Sequence, residues 1–115
     1  MSAERRGRMK TTAERRLERT EARFARHFES LKRVEFIRSL PCEVTGRRSE
    51  GVHNAHTRSR GAGGTYKDIV PLSWLVHRDF DLMSEAKFEL IYQRTKQSIR
   101  DRAPVYQQLW EEFQT

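Results

Sequence analysis

This chain has one cysteine, Cys42, so no disulfide can form within it, and a reducing compartment suits it. It also has few apolar residues. They make up 36% of the 115 positions against 34% charged, which leaves a modest core under a highly charged surface. No apolar run approaches the ~20 residues of a membrane-spanning helix or resembles the core of a secretory signal. Together these absences predict a soluble, cytoplasmic single domain. Repeats and low-complexity tracts are missing beyond a basic start. Eleven aromatic residues argue against wholesale disorder.

Positive charge is abundant. The formal net charge is +7, which favours a polyanionic partner, nucleic acid first and an acidic membrane surface second. The excess is uneven: residues 1–38 hold 12 Lys/Arg against 6 Asp/Glu, whereas residues 39–115 hold 11 against 10.

Residues 1–11 read as a flexible basic tail. Thr11 and Glu14 have capping-box spacing. The apolar residues Leu17, Phe24, Phe28, Leu31 and Val34 then form one helical stripe, predicting a basic amphipathic helix over 12–38. Arg15, Arg16, Arg19 and Arg23 lie along its polar sides. They suit a helix that tracks nucleic-acid phosphates, and equally a solvated face balanced by Glu14, Glu18 and Glu21. Both readings stand, and a third makes the Phe24/Phe28/Leu31 stripe a self-association seam.

Pro41 ends that helix. Cys42–Val44 and Val52–Thr57, separated by a Gly-containing turn, read as strand, turn, strand. Gly61, Gly63 and Gly64 make an irregular loop with Arg58 and Arg60 at its entry. Asp68–Leu72 reads as an extended connection onto Ser73, a helix N-cap. The helix that follows places His77 and Asp81 on one face at i and i+4, a spacing that suits a divalent metal. Ser84 can cap a further helix, and residues 95–113 form a last one, broken at Pro104. Its Tyr106, Leu109, Trp110 and Phe113 read as core or lid.

A longer pattern joins these pieces. Leu40-Pro41-Cys42, then Ala55-His56-Thr57-Arg58-Ser59-Arg60-Gly61-Ala62-Gly63-Gly64, then Ile69-Val70-Pro71-Leu72 and His77, resembles the HNH nuclease family, closest to its small phage and prophage members. The likeness covers residues 36–92. It implies an α+β fold with a ββα-metal core (a short hairpin plus a helix) over 39–92, the basic helix before it and a helical segment over 93–115 after it. It also implies a metal-dependent DNA endonuclease or nickase. In that reading His56 is the general base and Asp68 the residue that orients it. His77 and Asp81 hold one Mg²⁺ or Mn²⁺, and Arg58 and Arg60 grip flanking phosphates.

Two departures matter. Ala55 stands where many relatives have a metal ligand, with His53 as a candidate substitute from the same strand face. Thr45, Ser73 and Val76 stand where relatives carry cysteines, so Cys42 alone makes no structural zinc site, and Val44, Val52, Leu72, Leu75 and Val76 are left to hold the unit. These departures motivate the alternative: an inactive HNH-fold nucleic-acid-binding protein in a phage recombination or packaging complex. The oligomeric state stays open.

Overall fold

The computed structural model of the chain describes residues 9–48 and 51–115, with Arg60 described by its backbone alone. Residues 1–8 of the expected tail, Ser49 and Glu50 of the expected turn, and the Arg60 side chain lie outside the described residues. The architecture is α+β: helices surround a two-stranded antiparallel hairpin that runs directly into a helix.

Helix α1 spans Thr12–Phe28, and Thr11 caps it by accepting the Glu14 backbone N–H at 3.1 Å. The single helix expected over 12–38 is two. Glu29 turns into a positive φ of 70°, and Ser30 caps a second helix, α2, over Leu31–Arg38. Two polar contacts hold Glu29 at the corner. The Glu29 carboxylate accepts the Trp110 indole N–H at 3.1 Å and meets the Arg33 guanidinium at 3.6 Å. Glu29 and Arg33, four residues apart, would also meet in an uninterrupted helix, so the bond to Trp110 is the contact specific to the corner.

Strand β1 (Val52–His56) pairs antiparallel with β2 (Ile69–Ser73), His53 opposite Leu72 and His56 opposite Ile69. The strand expected at Cys42–Val44 is instead a turn. The Cys42 carbonyl accepts from Gly46 at 2.8 Å, and the Glu43 N–H donates to the Pro71 carbonyl at 2.9 Å. The true second strand was the stretch read as a connection. It is buried from Ile69 through Leu72, so it shows no polar alternation, and it contains a proline. A two-stranded sheet has only edge strands, where a missing N–H is tolerated.

Ser73 caps α3 (Trp74–Leu82) and Ser84 caps α4 (Glu85–Tyr92), both as expected. Thr95 caps the short α5 (Lys96–Arg100), and α6 (Ala103–Gln114) carries Pro104 in its first turn, where its absent N–H costs nothing. The core joins Ile37, Ile69, Leu72, Val76, Phe80, Phe88 and Ile99. Val52, Leu72 and Val76 pack inside as expected and Val44 sits half-buried against them. Leu75 is 44% exposed and does not contribute as expected. Tyr106 and Trp110 are core, whereas Phe113 lies outside it. No helix among the described residues is long and apolar enough to cross a membrane.

Glu43 ties the turn to the C-terminal helices. Its carboxylate accepts from the Arg102 guanidinium at 2.9 Å, from Arg94 and from the Tyr106 hydroxyl. Burial pushes its pKa up, but the bonds from Tyr106, Arg102 and Arg94 outweigh that and hold it below its ordinary 4.5. A depressed carboxylate stabilises the fold fully above the unfolded value, and that share disappears as pH falls through the folded one. Glu43→Ala should therefore cost about 2–4 kcal/mol at neutral pH, moderated by the solvent access of both arginines. Urea unfolding should show the gap between parent and variant narrowing as pH drops below about 4.5, the ordinary value.

Candidate functional site

Strand β1 projects its side chains alternately, so His53 and Ala55 share the face toward α3, while Asn54 and His56 face the other way. On the α3 side, His53 Nδ1 lies 3.2 Å from His77 Nδ1, with the rings nearly perpendicular at 88°. Behind His77, its Nε2 lies 3.3 Å from Asp81 Oδ2, the i,i+4 contact that the helix dictates. The structure thus brings together His53, His77 and Asp81.

Proton positions follow from chemistry. A carboxylate only accepts, so His77 Nε2 carries the hydrogen and donates to Asp81. In that tautomer the His77 lone pair is on Nδ1, facing His53. His53 is held below the ordinary imidazole range by burial, then by repulsion from His77 and Arg38. The 3.2 Å contact is then a hydrogen bond that His53 Nδ1–H donates to His77 Nδ1. A divalent ion would take that proton's place between the two nitrogens, with a carboxylate steadying one ring from behind, as is usual for metal-bound histidines. Two nitrogen ligands at about 2.0–2.1 Å from one metal stand roughly 3.0–3.4 Å apart, so the 3.2 Å gap fits a shared ion. Among the described residues, no three His, Cys, Asp or Glu side chains form a metal-holding group. Here the donors run in a line, two direct and one behind.

His56 sits elsewhere on the strand. Its ring packs 5.3 Å from that of Phe28 and edge-on to His27 at 6.1 Å, and its Nε2 lies 3.1 Å from the His27 carbonyl oxygen. A carbonyl cannot donate, so Nε2 bears the hydrogen and the basic lone pair of neutral His56 is on Nδ1. His27, read from sequence as a plain helix residue, is the missed partner. Nothing in its local sequence signals it, because the contact spans 29 residues.

Asp68 is committed differently from the expectation. Its carboxylate accepts the Thr65 N–H at 2.9 Å, closing a capping box on the single 3₁₀ turn Tyr66–Asp68. Its carbonyl oxygen takes both the N–H and the hydroxyl of Thr57, at 2.9 and 2.8 Å. Asp68 therefore pins the residue after His56 through its backbone.

The chain finds no match among protein-family models, curated proteins or solved structures.

The glycine loop is built tightly. A Cβ at Gly64 would lie 2.1 Å from the Arg58 carbonyl oxygen, so only glycine fits there. Arg58 is exposed at the loop's entry, beside a cleft of about 390 Å³ that His56 and Asp81 also line. Lys96 and Arg100 from α5 also line the cleft, and neither carries a local sequence signal. Arg15, Arg16, Arg19 and Arg23 are exposed along α1, which has no buried residue.

Proposed function

We propose that this protein is a metal-dependent DNA endonuclease or nickase of the HNH type. The observation that carries the reading is the 3.2 Å approach of the His53 and His77 Nδ1 atoms across a hairpin and the helix that follows it, with Asp81 behind. His53 Nδ1 and His77 Nδ1 would hold a divalent ion, and Asp81 would orient His77. When bound, such an ion supplies positive charge to a phosphate oxygen and to the leaving 3′ oxygen. The Nδ1 of His56 takes a proton from water, whose oxygen attacks phosphorus. The bond from phosphorus to the 3′ oxygen breaks and that oxygen takes up a proton, leaving 5′-phosphate and 3′-hydroxyl ends. Arg58 holds an adjacent phosphate. The arginines of α1 supply backbone attraction without sequence choice.

Titration calorimetry with Mn²⁺ tests the ligand set. The parent should give one site. His53→Ala or His77→Ala should abolish it, and Asp81→Ala should weaken it about 10–100-fold, as loss of an orienting carboxylate does. A second reading, an inactive nucleic-acid-binding relative in a phage complex, is favoured by Ala55, fully buried and without a donor atom where relatives carry a ligand. A parent that binds DNA but shows no site-specific Mn²⁺ heat decides for that second reading.

A further inference from the structure

We propose that Lys96 and Arg100 of α5, with Arg58 lining the same cleft, form a binding site for a phosphodiester group of the DNA backbone beside His56. The inference rests on the nucleic-acid reading above and adds to it the C-terminal helices, which lie outside the stretch that resembles known nucleases.

Lys96 carries the argument. It is only 8% exposed, yet no carboxylate lies within ion-pair distance of it among the described residues. Its ammonium donates to the Met83 carbonyl oxygen and lies 5.5 Å from the centre of the Phe80 ring. Lysine has three hydrogens to donate and is seldom buried without an anion. A buried ammonium satisfied by a single carbonyl and a ring face is short of negative charge, and a phosphate oxygen supplies it.

Arg100 is placed by the same wall. Its guanidinium lies 5.4 Å from the Phe80 ring centre, and its Nε donates at 3.2 Å to the carbonyl of Thr57, the residue after His56. One terminal nitrogen reaches Glu85 at 3.4 Å in an exposed pair that gives up little when exchanged for phosphate. Arg58 has no ion pair among the described residues. Among the described residues the cleft therefore has three cations against one lining carboxylate, Asp81, which already accepts from His77. Its volume of about 390 Å³ is ample for a phosphate and part of its sugar.

The test is fluorescence anisotropy of a labelled short duplex, without metal, over a series of KCl concentrations. Lys96→Gln, Arg100→Gln and Arg58→Gln should each weaken binding several-fold and lower the slope of log K against log salt by about 0.9, one phosphate contact apiece. Arg47→Gln, an equal charge loss at an exposed turn outside the cleft, should leave the slope at the parent value. Thermal unfolding identifies a Lys96→Gln variant that fails to fold. Arg58 is exposed, so its variant keeps the test decisive. If the parent binds DNA and Arg58→Gln and Arg100→Gln keep its slope, the site is refuted while the nuclease reading survives. If the parent binds no duplex at any salt, both fall.

Discussion

His56→Ala should reduce metal-dependent nicking of supercoiled DNA by about 10²–10⁴-fold, the usual contribution of a positioned general base. Affinity for uncut duplex should stay within about twofold of the parent, because phosphate contacts supply most of that affinity. The size of the effect follows from the ring's preparation. The His27 carbonyl fixes the tautomer at Nε2, and Phe28 packs against one side of the imidazole. In the proposed mechanism water activation falls to Nδ1. Plasmid relaxation measured beside duplex affinity separates the outcomes. Equal cutting by variant and parent would remove His56 from the mechanism. Loss of cutting and binding together would mean that the ring merely supports the strand.

The parts of this fold legible in the sequence are those governed by near neighbours. Thr11, Ser73, Ser84 and Thr95 each sit three residues before the backbone N–H they accept, so helix starts could be placed without tertiary information. His77 and Asp81 were legible for the same reason, since one helical turn sets their separation. What escaped depends on distant partners. The corner at Glu29 is held by Trp110, 81 residues on, and Arg33 donates to Gln107 at 2.9 Å across 74 residues. Composition sends an arginine to the surface, yet Arg33 is fully buried, its guanidinium 5.5 Å from the Tyr66 ring centre. The second strand of the hairpin is hidden for a related reason. A strand covered on both sides loses its period of two, and Pro71 argues locally against pairing. At the site, His53 could be nominated from strand alternation, but its approach to His77 requires knowing that β1 lies over α3.

Phe88→Ala should cost about 3–5 kcal/mol, the range for emptying a buried aromatic position. Phe88 is fully buried, edge-on to Phe80 at 5.7 Å and tilted against Tyr92 at 4.6 Å. Those neighbours are themselves committed and cannot collapse into the void. The Tyr92 hydroxyl donates to Asp79, and burial followed by that bond pushes its pKa up to about 12. Phe80 carries the cations of Lys96 and Arg100 against its ring. A chain of this size has only about 5–15 kcal/mol of stability in all, so the melting temperature should drop by something on the order of 15–25 °C. The same substitution reaches the cleft, because Phe80 forms part of its wall and lies in the helix that bears His77. Denaturant unfolding should show the midpoint falling with an unchanged slope, which marks lost packing in an otherwise intact native state. A loss below about 1 kcal/mol would show that α4 packs loosely on α3, leaving the cleft without a rigid floor.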